Sequence, residues 1–552
     1  MKPASILRCA RRIAAVLLCA LLGTPAGAQQ LAAPLGAASA GESIYLYGRL
    51  PSGQPLNAQR DASLAISGAE AACTNCHRRS GLGEVEGRVT IPPISGPYLF
   101  HPRAKDRDDL DLPYVEGMRP DRDPYTEATL ARAIREGIGV DGRPLSYVMP
   151  RYALGDAEMA ELIGYLKTMT PSKVPGVTDS VLHFATIITP DADPIKRQAM
   201  LDVLNQFFTD KNAFARGASD RMRSSHRMMF KANRHWMLHV WELKGPPDTW
   251  DKQLREHLLK ERVFAVISGL GGKNWAPVHQ FCEQARLPCF FPNVELPVVA
   301  EHDFYTLYFS KGVLLEAELL ARRLSDDESS SGASRIVQIY RADDVGAAAA
   351  KSLSAALTGS RHKVVDRPMG AGDAQRQLTA ALRDVGPGDS LVLWLRSADI
   401  AALASLTPHA ADVLMSGLMG GLGGTPLPPA WRAATHMSYP FDLPEKRRVR
   451  MDYPLGWFAI RHIPVVAEQV QTDTYLACGL VSDTLNHMAD SFIRDYLVER
   501  VEGMLEHRIV TGYYPRLSLA PNQRFASKGG FIVHLADPSG PRVVADSEWL
   551  TP

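Results

Sequence analysis

Residues 73–77 read Cys-Thr-Asn-Cys-His. Two thiols with two residues between them, followed at once by an imidazole, form the attachment pattern of a c-type haem. Each sulfur can form a thioether to a vinyl group, and the imidazole can bind iron from one face. A chain pinned at three neighbouring points must wrap its local sequence around a flat macrocycle. The pattern occurs once, so one covalently bound haem c is expected, with Cys73, Cys76 and His77 as its anchors.

The flanks agree with this. Gly68–Ala72 reads as the end of a lead-in helix, and Arg78-Arg79-Ser80-Gly81-Leu82-Gly83 as a loop whose glycines let backbone pass close to the macrocycle. A second axial ligand must come from later in the chain. Met159 and Met169 fall in 156–169, an amphipathic helix with Met159, Leu162, Ile163 and Leu166 at helical spacing, and read as core. Met149 lies in Tyr147-Val-Met-Pro-Arg-Tyr152, where Pro150 keeps the preceding residue extended. That suits a thioether projecting onto iron. Met118, in Glu116-Gly-Met-Arg-Pro120, is the rival. The charged run Lys105–Asp111 reads as a solvated loop, with a docking patch for a redox partner as the alternative.

Residues 41–170, through CTNCH, the SGLG loop, VMPRY and the closing helix in that order, resemble a class I cytochrome c domain. The resemblance implies a small all-α domain with low-spin iron held by His77 and Met149. Such ligation favours the ferrous state, because the soft thioether stabilises it.

At 552 residues the chain exceeds one ordinary core, and two to four domains are expected. A net charge of +1 gives no support to a nucleic-acid partner. Residues 1–28 read as a signal peptide: a basic start (Lys2, Arg8, Arg11, Arg12), an apolar Ile13–Leu22 and a small-residue cleavage site ending at Ala28. No later run approaches the ~20 apolar residues of a membrane span. An exported, periplasmic protein without stable membrane insertion is expected, with 29–40 as a flexible mature start. Cys282 and Cys289 read either as a local disulfide or as two buried thiols, and Cys478 as core.

After a Pro/Gly linker at 171–176 the pattern changes. Val181–Ile188, 236–243, 263–267 and 288–291 read as strands, alternating with helices at 195–209, 250–259 and 276–286. A second set follows the helix at 313–324: strands at 336–340, 363–366, 391–395 and 411–418, with helices at 347–357 and 374–382. A long helical region at 475–505 and a hairpin at 530–535 and 543–545 close the chain. Buried strands alternating with helices imply parallel sheets covered on both faces. His235 and His239 read as structural residues on a strand, and Gly271-Gly272-Lys273 lacks the spacing of a phosphate loop.

The segments VFAVISGLGG, PVHQFCEQARLPCFFPNVELP and FYTLYFSKGVLLEAELLA resemble the type I periplasmic binding-protein fold of the branched-chain amino-acid group. Residues 177–552 would then form two α/β lobes closing on a small solute, as in the substrate-binding proteins of ABC transporters. Ligands of open α/β sheets bind beyond the strand C-termini, which here means 268–274 and 293–295. Ser268 and the amides of Gly269, Gly271 and Gly272 could receive a carboxylate. Asn293 lies in the second of these segments, Glu295 could pair with a cation, and Trp275 or Tyr308 could wall the pocket. The chain departs from the family in having Thr189-Pro-Asp-Ala-Asp-Pro194 after the first strand and Asn293-Val-Glu295 after a later one, which puts α-amino-acid binding in doubt.

The leading functional expectation is an exported mono-haem electron-transfer protein, not an enzyme. Its solute-binding-like domain would select a ligand or a redox partner, such as a periplasmic dehydrogenase or another cytochrome. The alternative is a transport or sensing protein with an accessory haem domain. A haem peroxidase would need an open iron site, against which Met149 speaks.

Overall fold

The computed structural model describes residues 38–60, 64–86, 89–100, 122–169, 174–219, 234–301, 303–327, 335–410, 412–488, 491–507, 512–520, 523–537 and 539–552. The signal peptide, most of the 29–40 segment, Met118, the 105–111 run and part of the linker lie outside these residues.

The continuous apolar run Val181–Ile188 is an interior strand of the first lobe. Its sheet is all parallel, in the order 306–307, 289–290, 265–267, 181–188, 235–242. Strands buried on both faces need helices on both sides, and here Pro194–Ser219, Trp250–Lys260 and Ala276–Gln284 connect them. Trp236, Phe184 and Phe208 pack together in this core, with the Phe184 and Trp236 rings 4.8 Å apart.

The second lobe begins with helix Val313–Asp327. Its sheet runs 363–369, 335–341, 389–394, 412–416 and 435–439 in parallel, then adds 531–535 and 543–545 antiparallel. The C-terminal hairpin is therefore the edge of this sheet rather than a free-standing element. Between the last parallel strand and the hairpin, helices Pro444–Ile460, Glu468–Met488 and Arg494–His507 return to the first lobe. Helix 468–488 is buried along nearly its whole length, and Thr472, Thr474 and Thr484 satisfy their hydroxyls on carbonyls one turn back.

The N-terminal region corrects the all-α expectation. Helices Ala40–Tyr47, Thr74–His77, Gly96–Phe100, Glu127–Glu136 and Asp156–Thr168 are joined by a three-stranded antiparallel sheet (64–67, 57–60, 151–152) and a hairpin (84–86 with 89–91). These strands are too short to show a period in the sequence. The two-residue strand Arg151–Tyr152 pairs with Gln59 and Ala58, and so fixes the chain just after Met149. The first and last helices of the region cross at Gly41, where a Cβ would stand 2.1 Å from the Glu161 carbonyl oxygen.

The region does not hang from its linker. Residues 38–552 form one compact unit, and Leu82 and Tyr98 are buried in the same core as first-lobe strands. Ser80 donates its N–H to Glu499 at 2.9 Å, and Arg286 pairs with the buried Glu42 at 2.6 Å. Arg79 lies over the rings of Phe304 and Tyr305 at 4.7 and 5.3 Å.

Candidate functional site

Two sites emerge. The first is an apolar cavity of about 360 Å³ in the N-terminal region, lined by Cys73, Cys76, His77 and Met149 together with Tyr45, Leu99, Leu130, Ile134 and Leu162. His77 Nδ1 lies 3.0 Å from the Pro92 carbonyl oxygen. A carbonyl only accepts, so Nδ1 carries the proton and the Nε2 lone pair remains available to a metal. Burial lowers the His77 pKa to about 4, against the opposing pull of Pro92, which keeps the imidazole neutral. Cys73 and Cys76 are thiols. Burial pushes Cys73 up to about 12, and a hydrogen bond with Tyr152 only partly offsets this.

Met149 is half-buried in a loop braced by Arg151, which donates to the carbonyls of Met149 and Leu145. Met159 is in the core, and Met169 caps the last helix and packs against the same core. One glycine of the SGLG loop is required by the fold itself. At Gly83, with φ +69°, a Cβ would stand 2.1 Å from the Ile91 carbonyl oxygen, so the loop is tight against its own hairpin. The donor set fits a covalently tethered macrocycle: two thiols, a neutral imidazole and a thioether on one apolar cavity.

The second site is a cleft of about 460 Å³ between the lobes. Its lining follows strand C-termini: Gly271 after 265–267, Asn293 after 289–290, Asp344 after 335–341, Arg396 after 389–394 and Phe441 after 435–439. Gln469, Val470 and Asp473 of helix 468–488 close one side, with Tyr514 and Phe309.

Gly271, Gly272, Asn293 and Glu295 line the cleft; Ser268, Gly269, Trp275 and Tyr308 do not. Ser268 is fully buried, its hydroxyl 2.9 Å from Asn293 Nδ2 and 3.1 Å from Thr474 Oγ1. Trp275 packs in the first-lobe core. The Tyr308 hydroxyl meets His279 Nδ1 at 2.8 Å, and its ring stacks on Phe525.

The glycine amides are not an anion cradle, because the lobe already uses them. Leu270 N–H donates to Ile187, Gly271 N–H to Asn293, Gly272 N–H to the Thr189 hydroxyl and Lys273 N–H to Asp191. The Thr189–Pro194 segment thus takes up the Gly272 and Lys273 donors, and strand neighbours take the other two. Glu295 pairs with Arg396 of the other lobe at 2.7 Å and faces Lys196 at 3.7 Å.

The reading from sequence passed over Asp473. The one signal is an acid one turn inside a helix that is buried along nearly its whole length, beside the apolar run Leu476–Val481. Burial raises its carboxyl to about 7, although the Tyr514 hydroxyl and the neighbouring Gln469 side chain pull the other way. Elsewhere, His235 and His239 do lie on a strand, and His239 stacks on His183 of the neighbouring strand. Cys282 and Cys289 are buried thiols that hydrogen-bond to each other, and Cys478 is core. His279, Glu283 and Asp303 come close together, yet Glu283 is taken up by the N–H groups of Phe304, Tyr305 and Thr306. No helix among the described residues is long and apolar enough to cross a membrane.

No family model and no curated protein matches the chain. Among solved structures it is similar to a fatty acid ABC transporter substrate-binding protein from Thermomonospora curvata, at 15% identity and a TM-score of 0.49, over 69% of this chain and 95% of that one. It is similar also to a leucine-binding protein from Thermotoga maritima, at 11% identity and a TM-score of 0.48, over 67% and 99%. A third is the branched-chain amino acid transporter substrate-binding protein of Streptococcus pneumoniae in complex with isoleucine, at 10% identity and a TM-score of 0.46, over 68% and 100%.

Proposed function

We propose that this chain is an exported solute-binding protein whose two α/β lobes hold a small organic molecule between them. The observation that carries the reading is the cleft itself, set at the C-terminal ends of both parallel sheets and spanned by ion pairs from lobe to lobe. Binding, rather than turnover, is its task. A thermal-shift screen of the full chain against a library of small solutes tests this. A solute at 100 times its Kd adds about 2.7 kcal/mol to stability. A library that shifts nothing overturns the reading.

A second reading, electron transfer, is favoured by the donor set on the N-terminal cavity. In it, residues 41–170 carry one haem c. Cys73 and Cys76 would tether it, His77 and Met149 would hold its iron, and the Pro92 carbonyl orients the ring of His77. When bound, the haem supplies one-electron exchange between ferric and ferrous iron, with a redox protein of the periplasm as partner. Co-expression with a haem-attachment system, followed by intact-protein mass measurement, tests the tether. A mass unchanged by haem, or equally raised in a protein with both cysteines replaced by alanine, overturns it. A solute that shifts the haem potential would join the two readings into one coupled function. A potential indifferent to solute would leave haem as an accessory to transport or sensing.

A further inference from the structure

Asp473 is 4% exposed and lines the interlobe cleft. Its Oδ2 accepts from the Tyr514 hydroxyl at 3.2 Å, while the buried Oδ1 has no partner. A buried carboxylate oxygen left unsatisfied is costly, and the cost is removed when a donor enters beside it. Three aromatic side chains line the same cleft: the Tyr514 ring is 5.4 Å from that of Phe309 and 5.6 Å from that of Phe441. Ring faces attract cations.

The cations of the cleft already face carboxylates of the protein. Arg396 binds Glu295 and Asp344, each at 2.7 Å, Lys273 binds Asp343 at 3.1 Å, and Lys196 faces Glu295. The amides from Leu270 to Lys273 donate within the first lobe. The cleft therefore offers an unused acceptor in an aromatic setting, whereas its cations already face carboxylates of the protein and its glycine-loop amides are engaged.

We propose that the cleft takes an organic ammonium ion that carries no carboxylate, a primary or secondary amine on a short apolar body, with its N–H directed at Asp473 Oδ1. This rests on the reading of the cleft as a solute site.

The test is calorimetry on the full chain with isobutylamine, valine and isobutanol. The three share one branched body and differ in head group. Isobutylamine should bind at least about 10-fold more tightly than either of the others. Asp473→Asn should weaken amine binding by at least about 10-fold and leave the melting temperature equal or higher. The comparison of ligands is made on the unaltered protein, so it holds whether or not the variant folds. Valine or isobutanol binding as well as the amine, amine binding untouched by Asp473→Asn, or no amine binding overturns the ammonium assignment. Binding of valine or isobutanol alone would leave the solute-binding reading standing. Silence of all three together with a silent solute library would remove both.

Discussion

Arg396 of the second lobe meets Glu295 of the first across the cleft, with Nη2 2.7 Å from Oε2. The other side of the same guanidinium is held by Asp344, through Nε at 2.7 Å and Nη2 at 2.9 Å. One end of the latch is thus fixed to its own lobe, and the Glu295 contact, like the Lys273–Asp343 pair beside it, must break for the lobes to part.

Arg396→Gln would leave Glu295 and the nearly buried Asp344 without their shared cation. Loss of one partner of a buried pair costs about 3 kcal/mol, and partial exposure here lowers that to about 1–2 kcal/mol. Small-angle scattering should show a larger radius of gyration for the variant. A double-mutant cycle with Glu295→Gln should give a coupling above about 0.5 kcal/mol. Additive effects would mean that the contact does not hold the lobes together.

Amine binding should depend on pH through Asp473. Its carboxyl titrates near 7 in the free protein, and only the ionised form complements an ammonium. Tyr514 and Gln469 are its polar neighbours, and the other cleft acids are already paired or capping. Affinity for isobutylamine should therefore fall by up to about 10-fold per unit as pH drops below about 7, and level off above it. A flat profile from about pH 5 to about pH 8 would exclude Asp473 as the contact.

Glu499 gives a stability signature of its own. Burial raises it to about 8, against the pull of Ser80 and Arg78, from a reference of 4.5. The folded state keeps this proton where the unfolded chain has lost it. Stability should fall as pH rises from about 4.5 to about 8, with a slope of at most about 1.4 kcal/mol per unit from this group. Glu499→Gln can still accept the Ser80 N–H and should flatten that slope in urea titrations. A slope identical to that of the parent protein would refute the assignment.

Met149→Ala probes the haem reading without touching the tether. Loss of the soft thioether should lower the reduction potential of haem-loaded protein and change the iron spin state. Unchanged ligation would return attention to Met118.

Gly83→Ala should be among the most damaging single changes in the N-terminal region. The site combines positive φ with a 2.1 Å approach to Ile91. A cost of about 1–3 kcal/mol is expected, seen as faster proteolysis of the 78–92 loop.

The lobes were legible because their strands are long or continuously apolar. Val181–Ile188 was read with the bounds it has, and helix 374–382 likewise. What escaped has physical reasons. Strand Thr435–Tyr439 is only five residues long and carries a histidine and a serine, so it shows no continuous apolar run. Pro454 interrupts the helical pattern of Pro444–Ile460, which still folds as one helix. The cleft was legible by position, through the rule that ligands sit beyond strand ends, and not by chemistry. Whether the Gly271 and Gly272 amides are free depends on Asn293 and Thr189, and the latter lies 82 to 83 residues away. Asp473 comes from a helix far down the chain, and no local pattern ties it to the strands it faces.

The loop after His77 docks on a partner 419 residues downstream, as the Ser80–Glu499 hydrogen bond shows. A ribosome adding roughly 5–20 residues per second needs roughly 20–80 s to supply that partner. For that interval Leu82 and Tyr98 lack the surface that later buries them. A segment made early in synthesis is therefore among the last to be closed.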